Sequence, residues 1–480
     1  MAHTDFIPMN AETRQLITAD QAWHYHIIPK KAENGKLLFY ADANEEKSYA
    51  QLKDELELLF GKIIEFEAAS TGVIRETLSR YYMRGSEGRR ALKASIDIRK
   101  ADDFLENLIV EAKQLNASDI HVETYGDRCR IRFRIDGLLI ERYTVSKTDY
   151  PALINKIKIR ANLDIAEKRL PQDGRIFYEH GEKKFDIRVS IVPALYGEKT
   201  VLRLLNKDAT EINIEELGFS DGELAAYLEG VRKPFGIVLI SGPTGSGKTT
   251  TLYATLKILN KEKTNILTIE DPIEYTLEGI NQVQVKENIG LTFSGALRSF
   301  LRQDPDIIML GEIRDTETAN MAIRAALTGH LVLSTIHTNS AWGTISRLID
   351  MGVPSYLLAN TLNLSAAQRL VRLLCPSCKE EQPFGARSLP KNCKPPVKPQ
   401  THFTPKGCEQ CFYTGYKGRK AIYEVIAIDS ELAENIKNGT FAISSLLKEK
   451  GIRTLAENAF DLFAEGNTSL EEVYPMIMSG

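Results

Sequence analysis

Eight consecutive residues, Gly242-Pro243-Thr244-Gly245-Ser246-Gly247-Lys248-Thr249, have the glycine spacing and the Lys-Thr ending of a phosphate-binding loop. Glycines let a backbone approach phosphate oxygens closely, and the amides at a helix N-terminus point towards the anion. We expect Lys248 to reach the β and γ phosphates, Thr249 to bind Mg²⁺ through its hydroxyl, and Thr250 to belong to the same nucleotide site. The sequence therefore predicts a site for ATP and Mg²⁺.

Two glutamates follow other strand-like apolar runs. Glu270 ends the run 266–269, and Glu312 comes two residues after the run 307–310. Because the carboxyl ends of parallel strands meet at one edge of a sheet, both acids are expected near the nucleotide. Either carboxylate could orient or deprotonate the attacking water, and the sequence does not rank them.

The elements that must position these residues alternate along the chain. Strand-length apolar runs and helical patterns follow one another at 236–241, 249–260, 266–270, 295–302, 306–311, 316–328 and 331–336. Such alternation predicts a parallel sheet flanked by helices. We therefore expect a multidomain α/β protein.

Patterning and composition divide the chain into six parts. They are a small N-terminal α+β partner-binding domain at 1–82, a basic linker at 83–100, a second α+β domain at 101–206, the ATPase core at 207–370, a cysteine module at 371–420 and a C-terminal helical part at 421–480.

The cysteine module contains two C-x-x-C pairs, Cys375 with Cys378 and Cys408 with Cys411. In a reducing compartment this spacing favours a metal over disulfides, and four thiolates suit a closed, tetrahedral zinc site. Such a site has no open position for catalysis. We expect it to organise a docking element, with Cys393 as a free thiol in the same loop.

Composition limits the class of protein. The 480 residues carry 61 Lys and Arg against 64 Asp and Glu, a formal net charge of -3. No global positive field attracts nucleic acid, so we expect no specific nucleic-acid partner. The apolar runs are far shorter than the ~20 residues of a membrane-spanning helix, and the N-terminus lacks the pattern of a secretory signal. These features predict a cytoplasmic protein.

Four segments together resemble the assembly ATPases of type II secretion and type IV pilus systems. The four are the phosphate loop as Walker A, 268–274 as the aspartate box, 307–312 as Walker B and 328–338 as the histidine box. The match covers nearly the whole chain beyond Asp119 and includes the tetracysteine module. His330 and His337 flank the apolar run 331–336, so we expect them at opposite ends of one strand.

This resemblance implies a hexameric ring of RecA-like ATPase domains, each preceded by a PAS-like domain. The PAS-like domain would close over bound ATP and supply two arginines to its phosphates, which motif position identifies as Arg188 and Arg203. A guanidinium neutralises developing phosphate charge and can couple hydrolysis to domain rotation. By the same resemblance His337 joins the catalytic residues.

The resemblance further implies a motor, peripheral at the inner membrane, that hydrolyses ATP to power assembly of a pilus or pseudopilus. Its partners would be an inner-membrane platform protein or the cytoplasmic domain of a membrane assembly protein. The tetracysteine module favours assembly over retraction motors, which generally lack it. Two other functions stay open: a DNA-uptake or conjugative translocation ATPase of the same superfamily, and a nucleotide-dependent scaffold without useful turnover.

Overall fold

The computed structural model describes residues 6–7, 9, 13, 16–17, 19–33, 36–43, 49–60, 62–81, 94–95, 104–126, 128–180, 183–204, 213–384, 399–440 and 442–479. These residues form two compact units. The first contains the described residues up to 97 together with Arg142–Val145, and the second contains the others.

The first unit is a small α+β structure. In chain order its elements are α1 (Ala19–His24), β1 (Ile27–Glu33), β2 (Lys36–Asp42), α2 (Tyr49–Phe60), β3 (Ile63–Ala69), α3 (Thr71–Tyr81) and β4 (Ala94–Ser95). Strand β2 pairs with β1 antiparallel and with β3 parallel. Leu56 of α2 and Ile74 of α3 pack with Phe39 and Ile64 of the sheet in one apolar core.

The second unit begins with an antiparallel sheet and two helices. Its elements are α4 (Phe104–Gln114), β5 (Asp119–Thr124), β6 (Cys129–Ile135), β7 (Leu138–Val145, of which Arg142–Val145 belongs to the first unit), α5 (Tyr150–Arg160), β8 (Gln172–His180), β9 (Lys183–Ala194) and β10 (Gly197–Leu204). The strand order is β7-β6-β5-β10-β9-β8. Asp136 and Gly137, between β6 and β7, both have positive φ, as a two-residue hairpin loop of type I′ requires.

A seven-stranded sheet forms the centre of the remaining chain. Its elements up to the sixth strand are α6 (Asp221–Val231), β11 (Gly236–Ser241), α7 (Lys248–Leu259), β12 (Ile266–Glu270), β13 (Asn281–Gln284), α8 (Phe293–Phe300), β14 (Ile307–Leu310), α9 (Thr316–Leu327), β15 (Leu331–Ile336), α10 (Gly343–Asp350), α11 (Ser355–Thr361) and β16 (Leu362–Leu374). The chain ends with β17 (Glu380–Pro383), β18 (Thr401–Thr404), β19 (Tyr416–Ala427), α12 (Ser430–Lys437), α13 (Ser444–Glu449), α14 (Leu455–Ala464) and α15 (Leu470–Ser479).

The order of this sheet is β13-β12-β14-β15-β11-β16-β19. All neighbouring pairs are parallel except β16 and β19, which are antiparallel. Strand β11 is buried on both faces: Ile237 and Leu239 join the core on one side, and Val238 and Ile240 join the core on the other. This double burial explains why the central strands are apolar without interruption and could be predicted from the sequence.

The cysteine module is an insertion between the two antiparallel strands. The boundaries predicted for this module, 371 and 420, fall inside strands, because β16 continues to Leu374 and β19 already begins at Tyr416. Within the insertion β17 and β18 form a two-stranded antiparallel sheet. The part beyond 421, expected to be helical, therefore starts with the rest of a strand before its four helices.

Some predicted features lie outside the described residues. The basic linker at 83–100, of which only Ala94 and Ser95 are described, and the thiol Cys393 belong to them. Among the helices in the described ranges, none combines the length and apolar character needed to cross a bilayer.

Candidate active site

The phosphate loop joins β11 to α7 and depends on glycines for its shape. Gly242 and Gly247 have φ values of 151° and 90°. A Cβ at Gly242 would lie 2.5 Å from the carbonyl oxygen of Gln368 and 2.6 Å from the hydroxyl of Ser246. A Cβ at Gly247 would lie 2.9 Å from the Gln368 side-chain nitrogen. Strand β16, which carries Gln368, thus packs directly against the loop.

Polar groups in the loop have few partners from the protein. The Nζ of Lys248 donates to the carbonyl oxygens of Gly242 at 2.8 Å and Pro243 at 3.1 Å, and no described carboxylate lies within ion-pair distance of it. The hydroxyl of Ser246 is buried without a hydrogen-bond partner among the described residues. Thr249 is exposed in the first turn of α7. These groups fit the oxygens of a bound phosphate and of a hydrated Mg²⁺.

A chain of polar contacts links the ends of four neighbouring strands. After β15, the Nδ1 of His337 donates to the Gly242 carbonyl at 3.1 Å, and its Nε2 lies 3.2 Å from Glu312, which follows β14. Arg314 pairs with Glu312 and also with Asp271, after β12. His330 and His337 lie at opposite ends of β15, as predicted. His337, however, is part of this network, whereas His330 bonds to Ala325 at the end of α9.

The charge of Glu312 is set by these neighbours. Partial burial raises the pKa of this carboxyl, but Arg314 and His337 outweigh that effect, so the pKa lies below its ordinary value. Glu312 is therefore an ionised hydrogen-bond acceptor at neutral pH.

Glu270 has a different environment. Its side chain is buried and accepts hydrogen bonds from Thr268 at 2.6 Å, from Gln282 at 3.0 Å and from the hydroxyl of Tyr253 on α7. Burial and the neighbouring Glu270 raise the pKa of Tyr253, which keeps that hydroxyl protonated as a donor. Three donors thus occupy this carboxylate, so the structure separates two glutamates that looked equivalent in the sequence.

The two predicted arginines lie in one row across the sheet of β5 to β10. Cross-strand pairing places side by side, in this order, Arg134, Asp119, Arg203, Arg188 and Arg175. Asp119 is buried and holds two of its neighbours: its carboxylate lies 2.9 Å from Arg203 Nε and 3.4 Å from Arg134 Nε. The hydrogen bond to Asp119 raises the pKa of Arg203 and outweighs burial, which alone would lower it.

Arg188 reaches from this row to the aspartate box. Its Nη2 donates to the carbonyl oxygen of Ile273, and its Nη1 lies 3.2 Å from Glu274. The Nε of Arg188 is buried and has no hydrogen-bond partner among the described residues. The structure therefore places Arg188 beside the segment that follows β12, and not in contact with Lys248.

The four cysteines of the two C-x-x-C pairs come together. Their sulfur atoms all lie within 4.8 Å of one another, and three of the Sγ–Sγ distances are 3.8 Å. Four sulfurs at 2.3 Å from a tetrahedral zinc ion would be separated by about 3.8 Å. The cluster thus has the size of a four-thiolate metal site.

Comparison with known proteins agrees with this geometry. A family model described as "Type II/IV secretion system protein" matches residues 96–475. The chain belongs to this family. It is 43% identical over 477 residues to the type IV pilus assembly ATPase PilB of Myxococcus xanthus, an alignment that covers 93% of this chain and 84% of that protein. It is 48% identical over 374 residues to the type II secretion system protein E of Pseudomonas aeruginosa, covering 77% of this chain and 74% of that protein.

A solved structure supports the same assignment. The pilus retraction motor PilT with bound ADP superimposes with a TM-score of 0.53 and 27% identity, over 77% of this chain and 95% of that one. With the phosphate loop and its surrounding acids, membership of this family identifies the chain as an ATPase.

The sequence alone did not identify several residues that lie around the phosphate loop of this chain. Gln368 and Arg369 on β16 and Tyr253 on α7 were not singled out. The available signal was the pair Gln368-Arg369 between the apolar pairs Ala366-Ala367 and Leu370-Val371. Charged residues in a central strand are rare without a partner, so they mark a strand that meets a polar site.

The close packing at Gly242 makes a prediction. Gly242→Ala would bring a methyl group against Gln368 and Ser246 in a backbone conformation that alanine disfavours, so the loop must change shape. We expect affinity for a fluorescent ATP analogue to fall at least about tenfold, equivalent to about 1.4 kcal/mol. The control is Gly222→Ala on α6, where a Cβ meets nothing within 4 Å. Equal affinities for both variants would contradict the role given to this glycine.

Proposed function

We propose that this chain is one subunit of a homo-hexameric motor, acting in the cytoplasm at the inner membrane, that hydrolyses ATP to power assembly of a type IV pilus or a type II secretion pseudopilus. The observation that carries this proposal is the polar chain from Gly242 through His337 to Glu312, which connects a phosphate loop to an acid ready to act on water. The similarity to PilB and to secretion protein E supports the assignment to pilus or pseudopilus assembly.

Hydrolysis needs a group that holds the terminal phosphate and a group that orients water. Lys248 and the loop amides hold the β and γ phosphates, and Ser246 has a free hydroxyl for a phosphate oxygen. Thr249, with Glu312 nearby, would hold Mg²⁺, which neutralises charge on the β and γ oxygens when it is bound.

Glu312 is the better candidate for the residue that acts on water. It is ionised, only partly buried, and close enough to Lys248 for its charge to affect that lysine. His337 and Arg314 fix its orientation from two sides. Glu270 has its lone pairs engaged by Tyr253, Thr268 and Gln282, so we assign it the task of holding the aspartate box against α7.

Arg188 and Arg203 would act on the nucleotide of their own chain. Arg188 already contacts the aspartate box of the same polypeptide, and its unpartnered Nε is suited to a phosphate oxygen. Asp119 holds Arg203 in the same row. In our proposal the domain at 104–204, which we take to be PAS-like, moves towards the RecA-like domain when ATP binds, and both arginines then meet its phosphates.

The tetracysteine cluster would hold a structural Zn²⁺. Its four thiolates leave no coordination position open, so the ion shapes the insertion between β16 and β19 rather than taking part in hydrolysis. We propose that this insertion, with the N-terminal domain, contacts the inner-membrane platform protein or the cytoplasmic domain of a membrane assembly protein. Membrane association is then peripheral and mediated by partners.

The assignment of the two glutamates can be tested by substitution. Glu312→Gln should lower kcat by about 10²- to 10⁴-fold, the usual contribution of a general base, with ATP binding retained. Glu270→Gln replaces one of the two accepting oxygens by an amide nitrogen that cannot accept, so we expect a lower melting temperature, from a loss of about 1–3 kcal/mol, and a smaller loss of turnover. Turnover kinetics, nucleotide titration and thermal melting measure these effects. Normal melting with abolished turnover in Glu270→Gln, together with turnover in Glu312→Gln, would reverse the assignment.

Hexamers that mix two variants test whether Arg188 acts on the nucleotide bound by its own chain. Lys248→Ala and Arg188→Ala chains, each inactive alone, are co-expressed with different tags and isolated as mixed hexamers. If Arg188 acts on its own chain's nucleotide, every site has one defect and activity stays at the level of the single variants. If it acted on a neighbour, a random ring would regain about one quarter of the wild-type activity, because that share of interfaces would be intact. Such recovery would refute the arrangement.

Metal analysis tests the cysteine cluster. Purified wild-type protein should contain one zinc per chain, Cys408→Ser should contain much less, and Cys393→Ser should be unchanged. Zinc is measured by atomic emission on samples matched for protein concentration. Since the ion is structural, ATP affinity of Cys408→Ser should remain within about threefold of wild type. Full zinc content in Cys408→Ser would rule out the four-cysteine site.

A further inference from the structure

Arg369 on β16 lies against the phosphate loop. One nitrogen of its guanidinium, Nη1, donates to the Gln368 carbonyl at 3.0 Å and would lie 3.2 Å from a Cβ placed on Gly242. The other, Nη2, donates to the backbone carbonyl of Asn339 at 3.1 Å, with the Asn339 side-chain oxygen at 3.4 Å. The side chain is therefore fixed between the first glycine of the loop and the segment that follows β15.

This arginine has no ion-pair partner among the described residues. It is partly buried, yet no carboxylate in the described part of the chain forms an ion pair with it. Lys248, beside it, also has only carbonyl partners. Burial lowers the pKa of both groups, and the charge of Arg369 lowers that of Lys248 further. Glu312 opposes the shift of Lys248 and Glu424 opposes that of Arg369, but neither lies within ion-pair distance and both pKa values stay below their ordinary values. Two partly desolvated cations at close range raise the free energy of the empty site, and a bound anion removes this cost.

The anion can be identified from the position of the two cations. Lys248 of a phosphate loop reaches the β and γ phosphates. Arg369 lies on the Gly242 side, where His337 and Glu312 also converge, which is the side of the attacking water. A guanidinium has five N–H donors, and the contacts described above leave donors for phosphate oxygens.

We propose that Arg369 binds the terminal phosphate of ATP and thereby makes the site distinguish ATP from ADP. The inference rests on the proposed ATPase function. Because Asn339 follows His337 by two residues, the same side chain also ties the terminal phosphate to the segment that carries the histidine. Loss of the phosphate would leave Arg369 without its anion while the β-phosphate contacts of the loop remain.

The test uses Arg369→Gln and Arg369→Lys in the full-length protein. Affinities for a non-hydrolysable ATP analogue and for ADP are measured separately, together with kcat and KM. A charge-assisted hydrogen bond contributes enough for the Gln variant to lose about 10- to 100-fold in affinity for the ATP analogue. ADP affinity should change by less than about threefold. The Lys variant keeps the positive charge but lacks the planar guanidinium, so it should recover part of the lost affinity for the ATP analogue.

The matched control is Arg324→Gln on α9, an exposed arginine of the same sheet domain that has no ion pair among the described residues. It should keep wild-type affinities for both nucleotides. Equal losses for the ATP analogue and ADP in Arg369→Gln, or no loss for either, would overturn the inference. Wild-type protein that fails to hydrolyse ATP would instead overturn the proposed function. Thermal melting of every variant separates loss of binding from loss of folding.

Discussion

Positive charge without matching carboxylates is concentrated where the central parallel strands end, and the rest of the site is built around it. Lys248 and Arg369 have only neutral oxygens as hydrogen-bond partners. Arg188 pairs with Glu274 through Nη1, but its buried Nε has no acceptor among the described residues. No described carboxylate forms an ion pair with Lys248 or Arg369, since Glu312 pairs with Arg314 and Glu270 is engaged by neutral donors. Phosphate oxygens are the complement that this arrangement lacks.

The same edge of the sheet connects the phosphate loop to the domain at 104–204. Contacts run from the loop through His337 and Glu312 to Arg314 and then to Asp271 at the end of β12. Two residues further on, the backbone of Ile273 accepts the hydrogen bond from Arg188. Binding or release of nucleotide at the phosphate loop can therefore affect the domain at 104–204 through side chains that are already in contact. The sheet itself does not have to deform.

Sequence patterns predicted the parts of this arrangement that depend on local information. Strand β15 has the predicted bounds of 331–336, because a strand buried on both faces reads as an uninterrupted apolar run. The roles of Glu270 and Glu312 could not be separated, since they depend on side chains such as Gln282 and Arg314 that become neighbours only in the folded chain. Arg188 meets Glu274 across 86 residues of sequence, and no local pattern encodes that contact.

The position of the cysteine insertion follows from the antiparallel pairing of β16 with β19. Strand β16 touches the phosphate loop at Gln368 and ends at Leu374, immediately before Cys375. Six residues of extended chain from Arg369 to Cys375 span about 20 Å. Over this distance β16 is paired with β19, and the Arg372 side chain packs on the ring of Tyr416 at 4.1 Å. A paired strand hardly changes length, so a displacement of β16 at the phosphate loop must appear at the cysteine cluster as well. This direct connection gives a physical reason for inserting a metal-binding module at that edge of an ATPase sheet.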